Sequence, residues 1–306
     1  MKLLKKLFTF IAWGFAALTA FLMFSAVAFV FVIFEKGVGE EEASVSNIKG
    51  DNAIGVLPLK GEIITSDKFR RELKKFVKND KINAIVVRIE SPGGSVGASE
   101  EIYRAIREAA KKKPVVCSLG NVAASGGLYA AVACDKIVLN AGTLTGSIGV
   151  IMMMPNVASL IDSYGIEMNV IKSGPFKDSG SPFRQFEQRD RSLIQSLVDA
   201  AYQQFITAIS VTRKLDIAKV HQFADGRIIL GQQAVELGLA DLIGGLSEAA
   251  KLALTMAKPG TEEEPELIRP KKRRGFMSVL DEVSEAKIFT WLKNLGRARL
   301  LYQASL

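Results

Sequence analysis

Histidine and cysteine are scarce in this 306-residue chain, which has one histidine, His221, and two cysteines, Cys117 and Cys134. Two cysteines exclude a disulfide-rich scaffold, and no cluster of cysteine and histidine has the spacing of a zinc site. A Ser–His–Asp triad would have to use His221. Apolar residues make up 48% of the chain and charged residues 24%, which excludes a disordered or collagen-like protein.

The net charge of +8 does not indicate a nucleic-acid-binding domain, because the excess positive charge lies at the two ends of the chain. Residues 1–36 carry four basic and one acidic side chain, and residues 258–306 carry ten basic and seven acidic side chains. A DNA- or RNA-binding domain concentrates basic side chains on its own surface. The sequence therefore predicts no nucleic-acid partner.

Charge is missing altogether from the 28 residues Leu7–Phe34, which exceed the ~20 apolar residues needed to cross a bilayer. Lysines precede this run and glutamates follow it, so the positive-inside bias places the N-terminus in the cytoplasm and the rest of the chain on the periplasmic side of an inner membrane. The alternative is a cleavable signal peptide, since Ala26-Val27-Ala28 fits a cleavage site. Because Phe29–Phe34 continues the apolar run, we expect an uncleaved single-pass anchor within residues 1–36.

Residues 45–257 have the length of one α/β domain, and residues 258–306 are typical of a charged linker followed by an amphipathic tail. Strands alternate with helices in the pattern of a parallel sheet. The predicted strands are 53–59, 82–90, 114–119, 136–139, 148–153 and 168–171, and the predicted helices are 67–78, 97–111, 188–212, 217–223 and 232–237. Cys117 and Cys134 could pair in an oxidising compartment, but we expect two free buried thiols.

Two of the predicted buried strands end in a Gly-Gly turn that leads into a helix. The first turn is Ser91–Ser95, and the second, Ala123–Gly127, contains Ser125. Backbone N–H groups beside a helix N-terminus stabilise a developing negative charge, although a Gly-Gly pair is equally compatible with a simple tight turn. Ser125 is placed as a nucleophile would be, after a buried strand and among small residues.

A serine hydroxyl needs a base to remove its proton. His221 lies on a polar helix face between Lys219 and Gln222, as expected of a solvated surface histidine. A lysine is the remaining type of base, and it requires a site that favours the neutral amine. Lys177 lies on a loop rich in glycine, proline and serine, but residue chemistry alone does not distinguish it from a surface lysine.

The motifs resemble the short form of bacterial signal peptide peptidase A. The matching segments are SPGGSVGASEEIYRAI (91–106), GNVAASGGLYAAVACDKIVLN (120–140), TLTGSIGV (143–150), IKSGPFKDSGSPFR (171–184) and ADGRIILGQQAVELGLAD (224–241). The resemblance covers residues 50–255 and implies a Clp-protease/crotonase-like α/β fold of repeated ββα units. It also implies a serine endopeptidase with a Ser–Lys dyad.

The resemblance assigns roles residue by residue. Ser125 is the nucleophile, Lys177 is the general base, and Ser147 orients the lysine amine. Gly94, together with Gly93, donates backbone N–H groups to the oxyanion. The family implies no metal, nucleotide or other cofactor. It implies a membrane-anchored homo-oligomeric ring in which Ser125 pairs with Lys177 of the neighbouring subunit, and the alternative is a dyad within one chain. The family's substrates are signal peptides left in the membrane lipid and other hydrophobic peptides.

Three alternatives differ in function. A related membrane-anchored Ser–Lys protease would act on membrane proteins instead of signal peptides. A crotonase-fold acyl-CoA hydratase or isomerase would use the Gly-Gly N–H groups on a thioester, but an exported domain would meet little acyl-CoA. An inactive scaffold is disfavoured because the serine, lysine and glycines are all present. In the tail, an imperfect helical stripe over Phe276–Leu301 is compatible with docking on a protomer or on the membrane surface.

Overall fold

The computed structural model describes residues 50–270 and 300–303, together with Phe21 and Ile48. The predicted anchor, Leu7–Phe34, lies outside the described residues except for Phe21. None of the helices within the described residues is long and apolar enough to cross a bilayer. The predicted helical stripe of the tail also lies outside the described residues up to residue 299.

Strands and helices alternate along the described chain, as predicted. The strands are β1 (Ala53–Lys60), β2 (Ile82–Ser91), β3 (Gly93–Ser95), β4 (Val115–Ala123), β5 (Lys136–Leu139), β6 (Leu144–Gly146), β7 (Ile151–Met152), β8 (Ile228–Leu230), β9 (Leu242–Ile243), β10 (Glu266–Ile268) and β11 (Leu300–Gln303). The helices are α1 (Asp67–Lys78), α2 (Val96–Ala110), α3 (Gly126–Ala131), α4 (Ala158–Ser163), α5 (Gln188–Arg213), α6 (Ile217–His221), α7 (Gly231–Glu236) and α8 (Leu246–Ala257).

The central sheet has the strand order β10-β1-β2-β4-β5-β9, and all of these neighbours pair in parallel. β2 and β4 lie in its middle, where both faces are buried, which explains their continuous runs of apolar residues. β6 adds to β4 in parallel and pairs with β8 in antiparallel orientation. The α/β fold with a parallel sheet is therefore confirmed.

Helices cover both faces of this sheet. On one face α1 buries Phe69, Leu73 and Phe76, which its helical spacing places on one side. That face also packs against α2, α3 and α5 in the larger apolar cluster. On the opposite face α8 packs its small residues Ala249, Ala250 and Ala253 against β1, β2 and β4. The carboxyl ends of β2 and β4 thus lead into the two glycine turns at one edge of the core.

The structure differs from the predicted elements at residues 148–153, where only Ile151–Met152 form a strand, and in two further places. Residues 168–171, predicted as a strand, form none, and Met168, Val170 and Ile171 are exposed, because no strand of the described chain pairs with them. The central sheet also continues past residue 257, where the sequence indicates a linker, since β10 pairs with β1.

The expectation of two free thiols is wrong. Cys117 and Cys134 form a disulfide, with their Cα atoms 5.8 Å apart. Cys117 lies within β4, and Cys134 follows the helix that begins after the same strand. The chain folds back through this strand–turn–helix unit and places Cys134 next to Cys117. Both side chains are buried in the larger cluster.

Candidate active site

Ser125 occupies a strained turn between β4 and α3. Its φ of +52° is in a region that residues with a side chain rarely adopt. The residue is 1% exposed, and its Oγ is buried without a hydrogen-bond partner among the described residues. Buried polar atoms are nearly always satisfied, so an unpartnered hydroxyl at a strained turn indicates a functional atom. Ser125 therefore has the setting predicted for a nucleophile.

Ser147 lies beside Ser125 in a second strained turn, after β6. The Ser125 N–H donates to the Gly146 carbonyl at 2.8 Å. Ser147 is 9% exposed and has a φ of +49°, and its N–H donates to the Arg227 carbonyl at 2.7 Å. The structure thus brings these two predicted site residues into adjacent turns.

The first glycine turn lies against the start of α3. Gly93 and Gly94 have φ values of +103° and +158°. The Gly93 N–H donates to Ser91 Oγ at 3.1 Å, so Gly94 is the better placed of the two predicted oxyanion donors. A Cβ added to Gly126 would lie 3.1 Å from Gly94 N, and a Cβ added to Gly93 would lie 2.7 Å from Gly126 N. The two backbone N–H groups are therefore close neighbours.

Gly126 N–H is a second candidate donor, which the sequence reasoning missed. Gly126 is the first residue of α3, where its N–H has no intrahelical acceptor. The sequence contains a signal for this donor, because the residue that follows a nucleophile at a helix start is placed to donate its N–H to an oxyanion.

Lys177 makes no hydrogen bond to Ser125 within one chain. Its side chain is exposed, and Ser125 Oγ has no partner among the described residues. It belongs to an extended segment, residues 150–187, that we call the arm. The arm exposes a series of large apolar side chains: Ile151, Met153, Leu160, Tyr164, Ile166, Met168, Val170, Ile171, Phe176, Phe183 and Phe186.

The loop that carries Lys177 is held by an ion-pair network centred on Arg184. The Arg184 guanidinium donates to Asp178 Oδ2 at 3.0 Å and to Asp190 Oδ2 at 2.6 Å. Lys172 Nζ donates to Asp178 Oδ1 at 2.6 Å. These hydrogen bonds, with that from Arg184 the largest cause, lower the pKa of Asp178 to about 2. The hydrogen bond from Arg184, together with those from Ser179 Oγ and the Glu187 N–H, holds the pKa of the buried Asp190 well below its usual range.

His221 takes no part in this site. Its side chain is exposed on α6, and its ring centroid lies 6.1 Å from that of Tyr202. A cavity of about 430 Å³ opens next to Ser147 instead, and it is lined by residues including Ile148, Val150, Val198, Tyr202 and Asp225.

Sequence comparisons place these residues in known families. The pattern of peptidase family S49 matches residues 107–258, and that of Clp protease matches residues 61–143. The first match includes Ser125, Ser147 and Lys177, and the second includes Gly93 and Gly94. The Clp-protease-like character of the α/β fold is thereby supported.

Individual relatives agree with the family match. A candidate protease of Synechocystis sp. is 46% identical over 183 residues, which are 60% of this chain and 66% of the relative. A candidate signal peptide peptidase SppA of Enterococcus faecium is 35% identical, covering 69% of this chain and 63% of its own length. The chloroplastic serine protease SPPA of Arabidopsis thaliana is 34% identical over 69% of this chain and 30% of its own length.

The chain spans less than two thirds of the length of these relatives. By the family match, residues 107–258 of the chain therefore belong to peptidase family S49.

Proposed function

We propose that this protein is a Ser–Lys endopeptidase that hydrolyses hydrophobic peptides, including signal peptides that remain after preprotein processing, at the outer face of the inner membrane. The observation that carries the proposal is the buried, unpartnered Ser125 Oγ beside the Gly94 and Gly126 N–H groups. A nucleophile next to backbone donors is the arrangement that acyl transfer requires.

The reaction follows from these positions. Neutral Lys177 Nζ accepts the Ser125 Oγ proton as Oγ attacks the substrate carbonyl carbon, and Ser147 orients the amine. The carbonyl oxygen becomes an oxyanion that accepts hydrogen bonds from the Gly94 and Gly126 N–H groups. The lysine proton passes to the leaving amine, which gives an acyl-enzyme. Water then attacks this ester with the same lysine as base, which releases the carboxyl product and restores Ser125.

The lysine in this proposal comes from a second copy of the chain. Within one chain Lys177 is exposed and makes no hydrogen bond to Ser125. The arm that carries it exposes eleven large apolar side chains, and a contiguous exposed apolar patch marks an interaction surface. Burying the arm on a neighbouring protomer would remove this surface from water and bring Lys177 to the cavity beside Ser147. Head-to-tail contacts of this kind close into rings.

The proposed location rests on the sequence and the disulfide. The uncharged run Leu7–Phe34, with lysines before it, supports a membrane anchor whose folded domain lies outside the cytoplasm. The Cys117–Cys134 disulfide supports an oxidising compartment. An enzyme anchored there is close to signal peptides in the bilayer, and SppA-named relatives support that substrate class.

The test is cleavage of a synthetic signal peptide by full-length protein in detergent. Ser125→Ala and Lys177→Ala should each reduce kcat/KM by at least about a thousandfold, since both act on the reacting atoms. His221→Ala, the matched control for a histidine base, should retain wild-type activity. Full activity in folded Ser125→Ala, or its loss in folded His221→Ala, would contradict the proposal.

A further inference from the structure

Basic side chains of the folded domain are concentrated in two short segments. Residues 37–257 carry 26 basic and 24 acidic side chains. Segments 67–81 and 108–113 hold ten of the basic and four of the acidic ones, which leaves 16 basic and 20 acidic side chains in the rest of that range. A domain of nearly neutral charge therefore has one strongly positive region and a negative remainder, and such a region attracts anionic partners.

Six exposed lysines form the positive region, which we call the basic face: Lys74, Lys75, Lys78, Lys81, Lys111 and Lys112. The first three lie on the solvent side of α1. Lys75 pairs with Glu72 at 2.6 Å. Lys111 pairs with Glu108 at 2.6 Å. The other four lysines form no ion pair within the described part of the chain, so most of the positive charge of this face is uncompensated.

The basic face lies at the edge of the central sheet where the parallel strands begin. β1, β2 and β4 pair in parallel and start at this amino edge. α1 ends just before β2, and the turn after α2 ends just before β4, so the lysines at both helix ends lie there. Lys113 joins the two ends, because its Nζ donates to the Phe76 carbonyl at 3.2 Å and to the Asn79 carbonyl at 2.5 Å.

The chain enters the domain at the same edge. β1 starts at Ala53, and Asn83, near the start of β2, donates a hydrogen bond from Nδ2 to the Asp51 carbonyl. The uncharged run Leu7–Phe34 is separated from Gly50 by 15 residues. An extended segment of that length spans at most about 50 Å. A bilayer that holds the uncharged run is therefore within reach of the amino edge.

Acidic residues of the amino edge lie on its other side. Glu264 pairs with Lys251 of α8 at 2.6 Å, and Glu263 accepts a hydrogen bond from Asn52 Nδ2. α8 covers the face of the sheet opposite to that covered by α1. Charges of opposite sign are thus separated across the edge, and the basic face is confined to the side of α1 and α2.

We propose that the basic face docks on the anionic lipid headgroups of the bilayer that holds the anchor. This inference rests on the proposed location and goes beyond the proposed activity. Lysines near an anionic lipid surface are attracted to it, and the attraction falls off within a Debye length of about 8 Å at physiological salt. A face that carries six lysines next to the point where the anchor segment enters the domain has the charge and the position for this contact.

Docking of the amino edge directs the active site away from the bilayer. Ser125 follows the carboxyl end of β4, at the opposite edge of the sheet. β2 has 10 residues, which at ~3.3 Å each separate the two edges by about 30 Å. A substrate held in the bilayer therefore reaches Ser125 only through a segment that has left the headgroup region.

Lysine footprinting of the full-length chain tests the docking. The catalytic variant Ser125→Ala is placed in nanodiscs of phosphatidylcholine alone or of phosphatidylcholine with phosphatidylglycerol. Its lysines are acetylated with an uncharged reagent, and the rate at each lysine is read by mass spectrometry. We expect the basic face to be labelled at least about fivefold more slowly in the anionic discs, and this difference to disappear at about 0.5 M salt. Lys60 and Lys68, exposed at the carboxyl edge, should be labelled equally in both lipids.

A matched pair of variants assigns the effect to the basic face. The variants are Lys78→Gln/Lys81→Gln/Lys112→Gln and, as the control at exposed positions elsewhere, Lys60→Gln/Lys68→Gln/Lys219→Gln. Each lysine near an anionic surface strengthens binding roughly fivefold, so the first variant should dock about a hundredfold more weakly. Its remaining face lysines should be labelled at similar rates in the two lipids, whereas the control variant should keep the wild-type difference.

Four results would overturn the proposal. The first is equal labelling of the basic face in the two lipids, and slow labelling in both would assign the face to the acidic run Glu40–Glu42 of the chain. The second is equal shielding in neutral discs by single-stranded DNA at the same phosphate concentration, which would indicate a general polyanion site. The third is loss of the lipid effect in the control variant. The fourth is a chain that does not copurify with the discs, which would contradict the anchor itself.

The footprint and the proposed activity fail independently. The footprint is measured on a variant without the nucleophile, so a loss of peptide cleavage has no influence on it. If the basic face is labelled equally in both lipids while wild type still cleaves the synthetic signal peptide, the docking is wrong and the proposed peptidase activity stands.

Discussion

The Ser125 N–H donates to the Gly146 carbonyl at 2.8 Å, and this hydrogen bond joins the two strained turns of the site. Gly146 is itself in a positive-φ conformation, and Ser147 follows it directly. The position of Ser147 relative to Ser125 therefore depends on two neighbouring peptide units rather than on a long side chain. An arrangement of this kind is set before substrate arrives, which is what preorganised catalysis requires.

A side chain at Gly93 should abolish activity. In Gly93→Ala the new Cβ would lie 2.7 Å from Gly126 N and occupy the space of the oxyanion donors. Gly97, in the same segment, has nothing within 4 Å of its Cβ position. Gly97→Ala should therefore keep activity and stabilise the protein by up to about 0.5 kcal/mol. Peptide cleavage and thermal unfolding of both variants check this, and comparable activity in the two would contradict the assigned oxyanion site.

The Arg184 network should make the arm sensitive to acid. The pKa of Asp178 is lowered to about 2 by its hydrogen bonds with Arg184 and Lys172. A carboxylate whose pKa is lower in the folded state than in the unfolded state stabilises the fold. This stabilisation is fully present above the unfolded-state pKa of ~3.9 and is lost as pH falls towards 2. Thermal unfolding between pH 6 and 2 should show this loss in wild type and a smaller one in Asp178→Asn.

Asp162→Asn is the control for the acid measurement, because Asp162 is an exposed carboxylate of the same arm. Its acid profile should match that of wild type. If Asp178→Asn lost stability between pH 4 and 2 as steeply as wild type, the ion pairs of Asp178 would not account for the acid response.

The disulfide should stabilise the domain chiefly through the unfolded state. Cys117 and Cys134 are 17 residues apart, and closing a loop of that length is worth roughly 3 kcal/mol in the chain-entropy account. The double variant Cys117→Ala/Cys134→Ala should have a free energy of unfolding lower by this amount and should unfold at a lower denaturant concentration. Reductant should not change the stability of the variant. Equal stability of the variant and the oxidised wild type would rule out a structural bond.

The exposed apolar side chains of the arm should drive assembly. Ile171 is fully exposed in the single chain, and Phe176 precedes Lys177 directly. Ile171→Glu places a charge at the proposed interface and should shift sedimentation towards the monomer and reduce activity in parallel. Val211→Glu, at an exposed position on α5, is the control. Unchanged assembly in Ile171→Glu would exclude this part of the arm from the interface.

The central fold was largely predictable because its signals are local. α1 has the predicted bounds, Asp67–Lys78, and the apolar run of β2 is where the sequence indicates a buried strand. The turn at Ser125 was also evident, since a buried strand, small residues and a helix start follow one another. Patterns of this length depend on neighbouring residues and are therefore visible in the sequence.

Long-range contacts of the site were not predictable in the same way. The pairing of Tyr302 with Gly94 joins positions far apart in the chain, and the Cys117–Cys134 bond depends on how tightly the intervening turn folds back. The predicted strand at residues 168–171 is wrong because no strand of the described residues pairs with this segment, whose apolar side chains are exposed. Apolar periodicity does not distinguish a side chain buried in the core from one buried by another protomer.

The central claim is that Ser125 and Lys177 act together from different protomers, and subunit mixing tests it most directly. Ser125→Ala and Lys177→Ala proteins, each inactive alone, are dissociated, combined in equal amounts and reassembled. In a ring of head-to-tail contacts, random assembly pairs an intact serine with an intact lysine at about a quarter of the sites. The account predicts recovery of about a quarter of wild-type activity, and no recovery in mixed rings that have demonstrably formed would contradict it.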